Sequence, residues 1–175
     1  MYLGHLDLDA PLVWTVDDAL SVADCDTYAK KIREGVTEIA PIVGHDGAPE
    51  IDLPTRNNTR LMWDDTHEAN ALLARVEAHV PKTLSGMSLA GANPRLRLHR
   101  YDPGERHGVH WGATDFPELE KVIAPKKGRA LLFQHRILHE ATAVRAGTKY
   151  VLRTDVLYRP RTSAKSPSSN ATSTR

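Results

Sequence analysis

Apolar residues recur at helical spacing twice in the first half of the chain. In residues 21–34, Val22, Cys25, Ala29 and Ile32 fall three or four positions apart, which predicts an amphipathic helix with those side chains inward. Ser21 can cap its start, and Asp24 three residues later completes a capping box. A second helix is expected from about Asp65 to His79, with Leu72, Leu73 and Val76 inward and Pro81 as its stop. Between the two, Val36 to Val43 has the composition of a strand, and Gly44-His45-Asp46-Gly47 supplies turn chemistry. Leu61-Met62-Trp63 forms a short apolar run before the second helix.

From Asn93 onward the period changes from helical to two. Arg95 to Tyr101 alternates, with Leu96 and Leu98 on one face and Arg97, His99 and Tyr101 on the other. Ala130 to Phe133 has the look of a strand core, and Lys149 to Tyr158 is the longest strand signal. Its faces also separate: Tyr150, Leu152, Val156 and Tyr158 against Lys149, Arg153 and Asp155. Two strands with a polar face are what a sheet curled around a polar ligand requires. The fold class is therefore mainly β with N-terminal helices (α+β), the helices lying within 17–80 and the β-core within 93–160.

Composition narrows the class without naming a function. A chain of 175 residues, 41% apolar and 26% charged, fits one soluble domain spanning about residues 1–160. Residues 161–175 are Ser/Thr-rich and nearly free of large apolar side chains, and are expected to be a disordered tail. A net charge of +1 offers no nucleic-acid groove and no attraction to an acidic membrane. Cys25 is the single cysteine, so no intramolecular disulfide forms and a reducing, cytoplasmic setting is expected. The start of the chain lacks a signal-peptide pattern, and no apolar run reaches membrane-spanning length. Oligomeric state is not legible.

The residues able to do chemistry cluster late. Five of the nine histidines lie between positions 99 and 139. Tyr101-Asp102-Pro103-Gly104 is followed by His110 six residues after the glycine. A second signature runs from Gly128 through Leu131-Leu132-Phe133-Gln134-His135 to His139-Glu140, and then to Lys149-Tyr150. Together these segments resemble the Fe(II)/2-oxoglutarate-dependent dioxygenases of the prolyl 4-hydroxylase-like type. That resemblance implies a double-stranded β-helix, a cupin-like jelly roll, over about residues 10–160. It implies Fe(II) held by His110 and His139, 2-oxoglutarate as cosubstrate, and ascorbate as a supporting reductant. Lys149 would anchor the far carboxylate of 2-oxoglutarate with Tyr101 as hydrogen-bond partner. Arg153, on the same strand face, is the competing anchor, since a guanidinium can clamp a carboxylate with two parallel bonds. The substrate would be a small molecule or a protein side chain.

Other polar residues have weaker claims. Arg56, Asn57, Asn58 and Arg60 form a cluster that either lines a substrate mouth or makes a hydrogen-bonded turn. His107 either lines the site or faces solvent. His135 precedes His139 by four residues, but a strand pattern leads into it, so a strand-end role fits better than a zinc helix. Glu140 either orients His139 or is solvated.

The family pattern breaks after His110. Where His-x-Asp is expected, the chain has His110-Trp111-Gly112. Related halogenases carry Gly or Ala there and place chloride on the iron. Alternatively, Gly112-Ala113-Thr114-Asp115-Phe116 resembles the end of a later Gly-Gly-x-Thr-x-Phe motif, which implies an internal deletion of roughly 20–30 residues, two strands and their turns. Asp115 is then the nearest carboxylate able to substitute. Three functions follow: an active dioxygenase, a catalytically inactive truncated relative serving as a binding module, and a halogenase.

Overall fold

A computed structural model describes residues 6–40, 42–43, 48–50, 58–103 and 112–161. His107, His110, Trp111, Arg56, Asn57, the turn at 44–47 and the tail from 162 onward lie outside the described residues. In chain order the elements are β1 (Val13–Val16), α1 (Val22–Glu34), β2 (Glu38–Ile39), β3 (Ile42–Val43), β4 (Pro49–Glu50), β5 (Thr59–Asp64) and α2 (Thr66–Val76). There follow β6 (Thr83–Leu84), β7 (Met87–Ala92), β8 (Arg95–Tyr101), β9 (Thr114–Phe116), β10 (Lys121–Ile123), β11 (Ala130–Phe133), β12 (Glu140–Ala141), β13 (Lys149–Arg153) and β14 (Val156–Pro160). The described chain is mainly β, with two α-helices and several small sheets.

Both helices form where the periodicity predicts. Ser21 accepts from the Asp24 amide while the Asp24 carboxylate accepts from the Ser21 amide, closing the capping box. Asp65 caps α2 through the Glu68 amide at 2.8 Å. The inward stripe of α1 is narrower than expected. Ala29 and Ile32 are buried and Cys25 is half-buried, but Val22, in the first turn, is 64% exposed. The expected strand from Val36 to Val43 is two strands with different partners: β2 pairs with β5, and β3 with β4. Pro41 stands between them in sequence, and a proline gives no N–H to a ladder.

The central layer is the antiparallel sheet β13-β8-β5-β2. Its register sets Lys149 opposite Tyr101, Arg153 opposite Arg97, and Arg60 opposite His99. One face carries Leu96, Leu152 and Trp63 into a core with Ala69, Leu73, Val76 and Val80 of the α2 region. The other face carries Arg60, Arg97, His99, Tyr101, Lys149 and Arg153. Leu96 is 0% and Leu98 1% exposed, so this strand cannot slip by one residue without burying arginines.

The long strand expected from Lys149 to Tyr158 is broken. β13 belongs to the central sheet, whereas β14 pairs with β7 in the sheet β14-β7-β6. The break falls where β7 also turns into β8. Asn93 donates from its backbone N to the Asp155 carbonyl at 2.8 Å and from its side chain to the Asp155 carboxylate at 3.2 Å. Thr154 Oγ1 donates to the Asn93 carbonyl at 2.7 Å. The two strands thus pass from sheet to sheet side by side, their corner closed by three hydrogen bonds.

A smaller sheet, β10-β9-β12, lies over the other side of β11. Phe116, Ile137 and Val13 form the core between them, joined by Leu131 and Phe133. β11 itself pairs with β1. Its end is clasped by Gln134, 7% exposed, which accepts from the Asp7 amide at 2.8 Å and donates to the Asp7 and Pro11 carbonyls at 2.8 and 3.2 Å.

Candidate functional site

The polar face of the central sheet lines a broad groove of about 2250 Å³, which also reaches Gly112, Thr114, Phe133 and His139. Alternation along three neighbouring strands delivers its basic residues to one side. Arg60 is held by Glu38, with Nε 2.7 Å from the carboxylate. Arg97 and Arg153 face each other across the β8–β13 ladder and share Asp155, at 3.3 and 3.9 Å. Like charges directly opposite are unfavourable, and the common carboxylate offsets this.

Lys149 differs from these. Its Nζ donates to the Gly112 carbonyl at 2.6 Å and stands 5.5 Å from the centre of the Tyr101 ring. Burial pushes the ammonium pKa below its ordinary value. Lys149 and Tyr101 are therefore brought together as the sequence suggested, being direct partners in the ladder. Arg153 sits on the same face but is 43% exposed in its side chain and turned toward Asp155.

Asn58 is 2% exposed and His99 9% exposed. The Asn58 amide nitrogen lies 3.0 Å from His99 Nδ1, and Asn58 Oδ1 is buried without a partner. Asn58 thus reaches the groove floor, whereas a solvent-exposed turn would have left it wet. The His99 pairing was not legible in sequence, because it depends on the β5–β8 register that sets Arg60 opposite His99.

His139 lies just before β12, half-buried, with its ring 4.5 Å from that of Phe133 and 6.0 Å from that of Phe116. Its Nδ1 is 2.9 Å from the Ile137 carbonyl. A carbonyl accepts only, so Nδ1 carries a proton, and in the neutral ring the lone pair is then on Nε2. This is the tautomer a metal-binding imidazole needs, fixed by a backbone carbonyl. Asp115 does not join it. On β9, Thr114 and Phe116 share one pleat face and Asp115 occupies the other, and His139 contacts Phe116. Among the described residues no three His, Cys, Asp or Glu side chains form a metal-holding group. They supply one fitting ligand of a facial triad and no carboxylate beside it, so a complete iron site does not fit the described residues. His135 and Glu140 are exposed.

Gly112 adopts φ +67°, and its N–H donates to the Ala143 carbonyl at 2.6 Å. A Cβ there would meet only ordinary contacts, the nearest being Val144 at 3.7 Å. The position has room for a side chain, at the cost of a left-handed backbone. Among the described residues no helix is long and apolar enough to cross a membrane.

No family model matches the chain, and no curated protein matches it. Among solved structures it is similar to the viral collagen prolyl hydroxylase of Paramecium Bursaria Chlorella virus-1 in complex with 2OG. The TM-score is 0.57 at 18% identity, over 83% of this chain and 96% of that one. A truncated form of the same enzyme gives a TM-score of 0.50 at 16% identity, over 83% and 90%. At such identity the likeness establishes a shared fold.

Proposed function

We propose that the chain is a 2-oxoglutarate-binding protein of the oxygenase fold, a dioxygenase of the prolyl 4-hydroxylase-like type that hydroxylates a small molecule or a protein side chain. The observation that carries this reading is Lys149: a half-buried cation on the inner sheet face, beside Tyr101, bonded to a carbonyl and to no carboxylate among the described residues. A dicarboxylate that reaches it replaces a neutral partner by an ionic one, and charge-assisted bonds are about twice as strong as neutral ones. Lys149, rather than Arg153, is the anchor in this reading, because Arg153 already has Asp155. The likeness to a prolyl hydroxylase bound to 2OG supports the same ligand. His139, whose Nδ1 is held by the Ile137 carbonyl so that Nε2 is the nitrogen left for a metal, is the ligand through which Fe(II) would be held, together with His110. A shortened jelly roll is supported by the central sheet ending at β13 while β11 stands in a separate two-stranded sheet with β1.

A second reading is favoured by the incomplete donor set. With no metal-holding group at His139 among the described residues, the chain serves in this reading as a non-catalytic binding module that keeps the dicarboxylate pocket. Calorimetric titration with 2-oxoglutarate, with and without Fe(II) under anaerobic conditions, tests both readings. Binding lost in Lys149→Met supports the shared pocket. Succinate release on admitting oxygen then selects the enzyme, and its absence selects the module. A folded protein that binds no 2-oxoglutarate sinks both. Chloride-dependent turnover would single out the halogenase, which no feature of the described residues favours.

A further inference from the structure

The central layer ends at β13, beside Lys149, and β11 stands in a separate sheet with β1. Among the described residues β13 pairs with β8 alone and β11 with β1 alone, so each leaves one edge unpaired. Yet both strands rest on one core: Ala130 and Leu132 of β11 and Leu152 of β13 pack on the cluster of Ala69, Leu73, Val76 and Leu96. Every residue from Ala130 to Gln134, and every one from Thr148 to Val156, lines the same groove. Side chains alternate along a strand, so a groove over one face would touch every second residue. The groove also reaches Leu73, Val76 and Val80 on one side of the strands and Arg97 and His99 on the other, so it joins the two faces past the strand edges, where unpaired N–H and C=O groups form a template for another strand.

We propose that this gap is a peptide slot, filled by one extended segment of a partner protein in which aliphatic and acidic residues alternate. β11 has four residues and β13 five, so the slot takes a segment of about four to five residues in β-augmentation. Alternate residues of such a strand point two ways. Toward α2 they meet Leu132, Leu152 and the core beneath, which calls for aliphatic side chains. Toward the inner face they meet Lys149 and Arg153 on the β13 side, with Arg97 opposite and Asp155 between the arginines, and Leu131 and Phe133 on the β11 side. That side calls for an acid on an aliphatic stem, as in glutamate. A strand entering between two others must be unpaired on both its own edges, which excludes β1, β8 or β13 of a second copy in their folded state. The residues after Arg161 fit no better: they contain no aliphatic side chain larger than alanine, and their charges, Lys165 and Arg175, are basic. The proposal does not rest on dicarboxylate binding, because it needs only the two edges and the charge at Arg153.

The test uses the full chain and fluorescein-labelled Val-Glu-Val-Glu-Val and Val-Lys-Val-Lys-Val peptides, read by anisotropy and amide hydrogen exchange. The acidic peptide is expected to bind at least tenfold more tightly, and to slow exchange in both β11 and β13. N-methylation of alternate backbone nitrogens, which leaves the protein untouched, should weaken it at least tenfold. Arg153→Glu, at a partly exposed position, should reverse the preference between the two peptides. Equal binding of both peptides overturns the proposal, as does binding indifferent to N-methylation or protection confined to one strand. So does slow exchange of both edges in a peptide-free dimer, which would assign the slot to a second copy.

Discussion

Lys149 Nζ and the Gly112 carbonyl are joined at 2.6 Å, linking the first residue of β13 to the loop that opens β9. A lysine in that position trades hydration for a neutral carbonyl acceptor. Replacing it by methionine keeps most of the packing and removes the charge. Affinity for 2-oxoglutarate should fall about 10- to 100-fold, the range for losing one charge-assisted hydrogen bond. Isothermal titration of the variant, with its Tm as a folding control, checks this; unchanged affinity in a folded variant would clear Lys149 of the role.

The same lysine sets a pH dependence. Burial lowers its pKa in the folded protein below the ordinary 10.5, so between the lowered value and 10.5 the unfolded chain binds the proton more tightly. The contribution of Lys149 to stability therefore improves as pH rises through that window, and its cost is fully present below it. The difference in Tm between the protein and Lys149→Met should shift in favour of the unaltered protein from pH 8 to pH 11. A difference that stays flat over that range contradicts the assignment.

Asp17 behaves in the opposite sense. Arg129 and Lys126 bond to its carboxylate and hold its pKa down to about 2. A depressed carboxylate stabilises above its unfolded value and loses that contribution as pH falls toward 2. Asp17→Asn should lower Tm modestly at pH 7, the group being exposed, and the difference should shrink markedly near pH 2, where the carboxyl is about half protonated. Scanning calorimetry at the two pH values decides it.

The corner between the sheets has its own test. Asp155 accepts from Asn93 and Arg97 and lies within ionic reach of Arg153. Asp155→Ala leaves two arginines facing each other without their common anion, and should cost about 1–3 kcal/mol. Urea unfolding of this variant and of the double variant Asp155→Ala/Arg153→Ala measures it. The second change should recover part of the loss if like-charge repulsion contributes.

His139→Ala should weaken Co(II) binding, followed by its visible absorption, about 10- to 100-fold if the imidazole is a ligand. Its Nδ1 bond to Ile137 is structural support for that role and also a packing contact. His135→Ala, at an exposed position on the same stretch, is the control that should leave binding unchanged.

What the sequence made legible follows from how local each signal is. Both helices and the Ser21–Asp24 box are short-range patterns, and they stand where periodicity places them. The polar face of β8 and β13 was equally readable, since alternation needs only one strand at a time. The break at Thr154–Asp155 was not, because a run rich in Val, Leu and Tyr continues across it. What bends the chain there is Asn93, some sixty residues away in sequence. Short strands such as β1 and β9 carry too few residues to show a period, and their existence depends on partners. Lys149 beside Tyr101 was suggested by resemblance; the shared Asp155 and the Asn58–His99 pair required the register.

The Gln134 clasp sets where this protein can be shortened or tagged. Its carboxamide makes three bonds to residues 7 and 11, and its backbone N–H a fourth to Leu12 at 3.1 Å. A tag placed ahead of residue 6 leaves all four in place. A truncation running past Leu12 strands a nearly buried amide at the end of β11 and strips β1 of its approach. Residues 7–12, which look dispensable as a string of letters, act as a latch on the strand beside the groove.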